Sequence, residues 1–314
     1  MNQRSLNRAI SSLREAYSQG ENIMALLAES DATPNSFDAI QVAYDLQAGS
    51  YTASFLTPDG GRLKAEFAAA LRPHVEGYSS LLDAGVGEAT TLAPLLELIP
   101  HVTRVLGYDS SVSRLLWARE NLKRAGRSVR LFVADTTEIP LPDSSVEVVV
   151  SVHSIEPNGG REAELLAELL RVASRRVVLV EPTTRFASTL QLSRMRKMGY
   201  CMDLPEKLEL LGANIVLHDL WTVNANPENS AELIVIDVNQ GSVGPQAPNR
   251  GEESAFELHS GLVAPGSLAE LEIADGGLYS RCDGLYFPVV AGLPVLTRRN
   301  AVVATQLLDQ IGSG

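Results

Sequence analysis

The sequence predicts an α/β fold: a mostly parallel seven-stranded sheet between helices, with a helical cap before it and a small β-rich domain after it. From residue 79 to residue 238, apolar runs alternate with helical sequence, which requires parallel strands joined by right-handed crossovers. Runs such as Val177–Val180 are apolar throughout, as expected for strands covered on both faces. Residues 239–253 are rich in Gly, Pro, Asn and Gln, which indicates a linker before further short β-like runs.

The composition favours a folded, soluble protein. Its 314 residues, 45% of them hydrophobic, suffice for one large core and a small second one. The formal net charge of −12 opposes a phosphate backbone, so nucleic acid is not an expected partner. Cys201 and Cys282 lie far apart without metal-ligand spacing, which disfavours a disulfide framework and a metal site and makes a cytoplasmic location the default. With a polar N-terminus and no long apolar run, neither a signal peptide nor a membrane span is expected.

The predicted boundaries are 1–60 for the cap, 61–240 for the sheet domain, 241–253 for the linker and 254–314 for the β-rich domain. In the cap, four apolar residues recur at spacings of four, three and four on one helical face: Leu6, Ile10, Leu13 and Tyr17. Further cap segments follow as a helical piece at 23–28, a turn at 33–36 and a helix at 37–48. Such a layer either covers a cofactor or substrate pocket or packs against the sheet.

The elements of the sheet domain follow from the alternation of patterns. Strands are predicted at 79–84, 103–108, 129–133, 146–152, 175–181, 213–220 and 231–238. Helices are predicted near 90–99, 111–125, 161–173, 186–197 and 205–211. Beyond the linker, β-like runs lie at 268–273, 284–290 and 293–297.

The first predicted strand ends in a two-glycine turn. Gly85 and Gly87 permit a tight turn and close approach to a ligand, and the following helix offers free N–H groups. The third glycine of the dinucleotide fingerprint is replaced by Thr90, and Glu88 flanks the turn. A carboxylate repels a pyrophosphate but suits a sulfonium and an ammonium, so the turn favours S-adenosylmethionine over NAD.

The next two strands also end in carboxylates. Asp109 lies 26 residues after Asp83, where an acid accepts hydrogen bonds from ribose hydroxyls, although it can also cap the next helix. Asp135 ends the third strand, where it can accept from an adenine amino group with Ile139 or Leu141 beside the ring. A simple Asx-turn is the alternative for Asp135.

These motifs, in this order, resemble the class I S-adenosylmethionine-dependent methyltransferase family over roughly residues 79–238. The resemblance rests on Asp-x-Gly-x-Gly, the acid ending the second strand, the Ala-Asp turn, Pro-x-Pro-Asp and the apolar fourth strand. It implies a Rossmann-like sheet, S-adenosylmethionine as the cofactor and methyl transfer as the reaction.

The resemblance also implies cofactor residues. It implies that Asp83, Gly85 and Gly87 bind the methionine moiety of the cofactor. Asp109 is expected to bind the ribose, and Asp135 and Thr136 the adenine. The segment YDLQAGSY resembles one that closes over the cofactor in several small-molecule methyltransferases, which adds Tyr44, Gln47 and Tyr51. Ser151, at the end of the fourth strand, completes the expected set.

The loop SVHSIEPNGG, after the fourth strand, is the expected acceptor side, because open α/β sheets bind substrates at their carboxyl edge. His153 is the candidate general base, with a hydrogen bond to a backbone carbonyl as the structural alternative. Glu156 is placed to hold a cationic amine or guanidine, or else to satisfy loop amides. Glu181, which ends the fifth strand, is a second candidate catalytic carboxylate at the same pocket.

Residues 278–302 resemble the end of the small half-zinc-ribbon proteins that activate methyltransferases acting on translation factors and tRNA. Phe287-Pro288 replaces the usual Tyr-Pro, and of the cysteine pairs that bind zinc in some members only Cys282 remains, so no metal is expected. A fused activator is one interpretation. A β appendage that stabilises the catalytic domain or mediates homodimer formation is the other.

The sequence thus predicts an enzyme that methylates N or O of a small polar metabolite or natural-product intermediate, with basic acceptors (an amine or guanidine) favoured. Three alternatives remain open at this point: a protein or tRNA methyltransferase with a fused activator, an NAD-dependent oxidoreductase, and a non-catalytic methyltransferase-like scaffold. The expected partner is a small-molecule acceptor.

Overall fold

A computed structural model of the chain describes residues 3–21, 23, 26, 37–223, 226, 228–238 and 260–306, without the side chains of residues 3–9 and Phe37. Five predicted features lie wholly or mostly outside the described residues: the helical piece at 23–28, the turn at 33–36, the linker at 241–253, the start of the β-rich domain at 254–259 and the chain end at 311–314.

All seven strands predicted for the sheet domain form. They are β1 (Ser80–Ala84), β2 (Arg104–Asp109), β3 (Arg130–Ala134), β4 (Val146–Val152), β5 (Ala173–Glu181), β6 (Asn214–Leu220) and β7 (Glu232–Asp237). The C-terminal region adds six short strands: β8 (Glu272–Ala274), β9 (Gly277–Ser280), β10 (Leu285–Phe287), β11 (Val289–Val290), β12 (Leu293–Leu296) and β13 (Val302–Val303).

The central sheet has nine strands in the order β11-β12-β3-β2-β1-β4-β5-β7-β6. Strands β1 to β5 and β12 are parallel to their neighbours within this group, whereas β7 runs antiparallel to β5 and β6 to β7. The predicted Rossmann-like, mostly parallel sheet is therefore confirmed. It is wider than the seven strands expected, because β11 and β12 add to its β3 side.

The helices in the described part of the chain include two that the sequence does not predict. The helices are α1 (Gln3–Ser18), α2 (Phe37–Leu46), α3 (Ser50–Phe55), α4 (Pro58–Val75), α5 (Leu92–Leu98), α6 (Val112–Arg124), α7 (Glu162–Val172), α8 (Thr189–Met198) and α9 (Leu204–Leu210). Two of them, α3 and α4, are not among the predicted helices. The Ser111 side chain accepts from the Arg114 N–H to begin α6, and Gly199, at φ 63°, ends α8.

Two apolar layers hold the sheet between helices. On one face, Leu81 of β1 packs in a cluster with Leu71 of α4 and Leu115 of α6. On the other face, Leu82 of β1 shares a cluster with Leu166 of α7. Neighbouring β1 residues point to opposite faces, and all five residues of β1 are buried, as the covered parallel sheet requires.

The C-terminal region contributes both to the central sheet and to a small antiparallel sheet of β13, β10, β9 and β8. In the central sheet, β12 pairs with β3 through Val295 opposite Val133. Phe287, fully buried, lies in the same apolar cluster as Phe132 of β3 and Ile139. This region therefore shares a core with the sheet domain.

None of the helices in the described part of the chain is both long and apolar enough to cross a membrane.

The shared core predicts that the two regions unfold together. Phe287→Ala should lower the free energy of unfolding by roughly 3–5 kcal/mol, because it leaves a cavity in the common cluster. The measurement is urea unfolding followed by tryptophan fluorescence, since both tryptophans, Trp117 and Trp221, lie in the sheet domain.

The matched control is Val303→Ala, because Val303 is 75% exposed. This variant should change the free energy of unfolding by less than about 0.5 kcal/mol. An unchanged fluorescence midpoint in the Phe287 variant would instead mean that the C-terminal region is an independent domain.

Candidate active site

A cavity of about 70 Å³ lies at the carboxyl ends of β1, β2 and β3. Its walls come from the cap, the turns after these strands and the loop after β4. The lining residues are Ile40, Tyr44, Gly85, Tyr108, Asp109, Ser110, Arg114, Ala134, Asp135, Thr136, His153, Ser154, Pro157 and Asn158. This is the edge at which open α/β sheets bind ligands.

The glycine turn needs glycine at its first position for two reasons. Gly85 has φ 75°, a conformation that side chains disfavour, and a Cβ there would lie 2.3 Å from the Ser154 Cβ. The Ser154 hydroxyl in turn donates to the Ala84 carbonyl at 2.8 Å. The turn and the loop after β4 are therefore packed directly on each other.

Asp109 joins the glycine turn to the start of α6. Its carboxylate accepts from the Gly87 N–H at 3.0 Å and from the Ser111 N–H at 2.8 Å, and it lines the cavity. Burial raises the pKa of this carboxyl, while Arg114 and the two N–H groups oppose the shift. Each oxygen accepts one of these bonds and retains further acceptor capacity, which fits the ribose role. The helix-cap alternative does not hold, because Ser111 rather than Asp109 is the N-cap of α6.

Glu88 does not face the ligand side of the turn, which corrects the expectation that its carboxylate flanks a bound sulfonium. It is 2% exposed and accepts from the Gly49 N–H at 2.9 Å and the Thr52 N–H at 2.7 Å. Helix α3 starts at Gly49, which has no side chain to cap its free N–H groups, so Glu88 supplies the acceptor. The carboxylate thus anchors the cap to the glycine turn.

Asp135 forms the Asx-type turn that the sequence left open. Its carboxylate accepts from the N–H and the hydroxyl of Thr137 at 3.0 and 2.9 Å, and pairs with Arg161 at 3.2 Å. Thr136 accepts from the Tyr108 hydroxyl at 3.2 Å. Asp135 and Thr136 both line the cavity, beside the expected place of the adenine.

The three cap residues expected over the cofactor do not all line the cavity. Tyr44 of α2 lines the cavity, and Tyr51 of α3 is 43% exposed beside it. Gln47, in the turn between α2 and α3, is not among the lining residues. Asp45 of α2 also fastens the cap, because its carboxylate accepts from the Ser111 and Ser113 hydroxyls at 2.6 and 3.0 Å.

His153 lies on the cavity wall in a strained backbone conformation. Its φ of 51° is in the left-handed region, and its N–H donates to the Val180 carbonyl at 2.9 Å. Such conformations cost about 1–3 kcal/mol and concentrate at functional sites. The backbone therefore holds the imidazole where it borders the cavity.

Glu181 and Ser151 lie beneath the acceptor loop rather than on the cavity wall. Both are fully buried, and the Ser151 hydroxyl donates to Glu181 at 2.8 Å. Glu181 also accepts from the N–H groups of Ser154 at 2.9 Å, Ile155 at 3.2 Å and Glu156 at 3.3 Å. Burial raises the pKa of Glu181. These contacts favour a positioning role over the general-base and cofactor roles expected for this pair.

Glu156 retains unused acceptor capacity. Its Oε1 is buried, has no hydrogen-bond partner among the described residues, and lies 3.6 Å from the Arg194 Nη2. Burial and then the charge of Glu156 raise the pKa of Tyr200 to about 12. The Glu156 backbone carbonyl accepts from the Cys201 N–H at 2.9 Å. The backbone at Glu156 is therefore held by Cys201, and its Oε1 has no hydrogen bond among the described residues, but Glu156 is not among the residues that line the cavity.

In the described part of the chain, no cluster of three His, Cys, Asp or Glu side chains has the arrangement of a metal site. Cys201 is buried and Cys282 is exposed, and both are free thiols.

Residues 81–176, from β1 into β5, match the protein family described as the methyltransferase domain. This part of the chain is therefore similar to a methyltransferase domain. The family is one whose members use S-adenosylmethionine, which makes that compound the expected cofactor. No curated protein matches the sequence.

Solved structures show the same fold at low identity. Magnesium protoporphyrin IX methyltransferase from Synechocystis PCC 6803, with bound S-adenosylhomocysteine, is 14% identical over 65% of this chain and all of its own, with a TM-score of 0.50. Geranyl diphosphate C-methyltransferase from Streptomyces coelicolor A3(2) is 15% identical over 67% of this chain and all of its own, with a TM-score of 0.51.

A chain from the complex between the Haloferax volcanii Trm112 methyltransferase activator and a putative methyltransferase is also similar. It is 15% identical and matches 65% of this chain and all of its own length, with a TM-score of 0.52. These three likenesses establish the fold of the methyltransferase domain.

Arg114 and Ser154 are among the lining residues that the sequence did not predict. Arg114 lies one helical turn after the acid that ends β2, so its place near the glycine turn follows once α6 is placed. Ser154 lies directly after His153 in a loop already singled out, but nothing local indicates its packing on Gly85.

Asp83, expected beside the methionine moiety, is the most perturbed carboxyl near the turn. Burial, and then the charge of Asp109, raises its pKa from 3.8 to about 7, while Lys64 opposes the shift. At a pH between about 4 and 7, the Asp83 carboxyl is therefore protonated in the folded chain and ionised in the unfolded chain. The free energy of unfolding decreases as the pH rises through that range.

Asp83→Asn should therefore stabilise the ligand-free protein more at pH 8 than at pH 5. Urea unfolding of both proteins at the two pH values measures the difference. Asp143→Asn, at a side chain that is 68% exposed, is the control and should show no such pH dependence. An equal effect of Asp83→Asn at both pH values would mean that the folded Asp83 does not titrate near 7.

Proposed function

We propose that the protein transfers a methyl group from S-adenosylmethionine to N or O of a small polar acceptor, with basic acceptors preferred. This proposal rests on the order in which candidate donor-binding groups lie along one wall of the cavity. The glycine turn, Asp109 and the Asp135-Thr136 turn follow each other at the ends of β1, β2 and β3. That order corresponds to the methionine, ribose and adenine parts of the donor.

The charges around the cavity support this donor over NAD. S-adenosylmethionine carries a sulfonium, an ammonium and a carboxylate, whereas NAD carries a pyrophosphate. Asp83 and Asp109 are buried at the turn, with Arg114 beside them, whereas Glu88 is occupied by the start of α3. Two acids and one arginine complement a ligand with both signs of charge better than they complement a diphosphate.

The sulfonium supplies an electrophilic methyl group without activation by the protein. The chain's task is to align an acceptor with the S–CH₃ bond and exclude water, an effect that can contribute roughly 7–11 kcal/mol. Tyr44 and the rest of the cap cover the cavity, and His153 is placed to take the proton of an acceptor that arrives protonated. Glu181 supports this role by holding the backbone of Ser154, Ile155 and Glu156.

Glu156 supports a basic acceptor. The Glu156 Oε1 makes no hydrogen bond among the described residues, so an ammonium or a guanidinium can donate to it beside Arg194, which lies 3.6 Å away. We propose a small molecule in this place. The cytoplasmic location and a possible second copy of the chain as partner remain predictions from the sequence.

Methylation of a protein or tRNA by a catalytic domain with a fused activator is the second candidate. It is favoured by the pairing of β12 with β3, which places the activator-like segment directly beside the adenine side of the cavity. The net charge of −12 disfavours tRNA within this candidate.

Calorimetry with S-adenosylmethionine, S-adenosylhomocysteine and NADH tests the donor. Saturable binding of the first two without NADH binding is expected, because of the charges around the turn. Tight NADH binding with no heat from the adenosyl ligands would identify an oxidoreductase. Failure of all three to bind would leave a non-catalytic scaffold.

The acceptor is tested with radiolabelled donor and a panel of amines, guanidines, alcohols, phenols and cell-extract fractions. With a cationic acceptor, His153→Ala should lower kcat by about 10²–10⁴-fold with donor affinity nearly unchanged, because it removes proton transfer alone. Glu156→Gln should mainly raise KM for that acceptor.

The control is His101→Ala, because His101 is exposed and lies about 50 residues before the loop after β4 in the sequence. This variant should leave kcat and KM unchanged. Unchanged kcat in the His153 variant would remove this residue from the reaction, and label found only in protein or tRNA fractions would favour the second candidate.

A further inference from the structure

Arg114 is a buried cation whose hydrogen-bonding capacity is unused. It lies in the first turn of α6, is 8% exposed and lines the cavity. Its Nε is buried without a hydrogen-bond partner among the described residues. A guanidinium has five N–H donors, and leaving them unpaired in a buried place is costly.

The neighbouring aromatic rings do not use those donors. The Arg114 guanidinium carbon lies 4.9 Å from the centre of the Tyr44 ring and 4.5 Å from that of Tyr51. Cation–π contact uses the flat faces of a guanidinium, whereas its N–H groups point outward in its plane. The two tyrosines therefore hold the group while its donors remain available.

The neighbouring carboxylates are engaged elsewhere. Glu88 lies 3.9 Å from the Arg114 Nε, too far for a hydrogen bond, and both its oxygens accept from the N–H groups that begin α3. Asp109 accepts from the backbone on either side of the cavity. The acids near Arg114 balance its charge but do not complete its hydrogen bonds.

The guanidinium lies against the end of the cavity where the amino-acid part of the donor is expected. A Cβ placed on Gly87 would be 3.6 Å from the Arg114 guanidinium carbon. The adenine turn at Asp135 and Thr136 is on the opposite side of Asp109 in the sheet order, because β2 lies between β1 and β3. The anion nearest to Arg114 in a bound donor is thus its carboxylate.

We propose that Arg114 binds the carboxylate of the donor's methionine moiety through paired N–H···O contacts, an inference that rests on the proposed function. Arg114 would then be a specificity-determining residue for the donor. Since Tyr44 and Tyr51 belong to the cap, binding of the carboxylate also favours the closed position of the cap.

The test compares S-adenosylmethionine with decarboxylated S-adenosylmethionine, which lacks only this carboxylate, by calorimetry. The wild-type protein should bind the carboxylated donor about 10–100-fold more tightly, the range expected for a charge-assisted contact. Arg114→Gln should bring the ratio of the two affinities close to one, mainly by weakening S-adenosylmethionine. Arg119→Gln, on the exposed side of the same helix, should keep the wild-type ratio.

Arg114→Lys keeps the positive charge but not the paired N–H donors. Its preference for the carboxylated over the decarboxylated donor should therefore fall by less than that of Arg114→Gln. A wild-type ratio in Arg114→Gln overturns the inference, as does equal weakening of both donors, which would mean that Arg114 acts only through the cap. If Arg114→Gln does not fold, a wild-type ratio in Arg114→Lys overturns it. If the wild-type protein binds neither donor, the proposed function itself fails.

Discussion

The buried carboxylate of Glu88 is the contact on which the site depends, because it joins the glycine turn to the cap. It replaces the missing side-chain cap of α3 by accepting from Gly49 and Thr52. Asn121 of α6 completes the junction, since its amide donates to the Thr52 hydroxyl and to the Glu88 carbonyl, both at 2.8 Å. A buried carboxylate with two N–H partners is stable, whereas one without them is costly. The cap position is therefore fixed by the same turn that approaches the donor.

The C-terminal region supports the opposite end of the cavity. Strand β12 pairs with β3 up to Leu296 opposite Ala134, the residue before Asp135. Arg299, in the 3₁₀ turn that follows, pairs with Asp38 of α2 at 2.5 Å, so the region also contacts the cap. An unpaired β3 edge would expose backbone groups to other chains, and β12 covers that edge. The C-terminal region therefore contacts both the sheet and the cap.

The sequence predicts most of the fold because its signals are local. Alternating runs give β1–β7, and the positions of Gly85, Asp109 and Asp135 at strand ends place them at one edge of the sheet. What it does not predict depends on contacts between distant residues. Glu88 meets the α3 N-terminus 36 residues away, and no local pattern marks a carboxylate as the cap of another segment's helix. The addition of β12 to β3 similarly joins residues more than 150 positions apart.

The same nonlocal contacts explain why the ligand-free site is held at some cost. Burial raises the pKa of Asp83 to about 7, so this carboxylate lowers the stability of the empty protein at higher pH. The Nε of Arg114 is buried without a hydrogen-bond partner among the described residues, which is a second local cost. A ligand with an ammonium and a carboxylate can pair with both residues, whereas a ligand that carries only one sign of charge can pair with one of them. The proposed preference for a donor of mixed charge therefore rests on the burial of both kinds of group around one glycine turn.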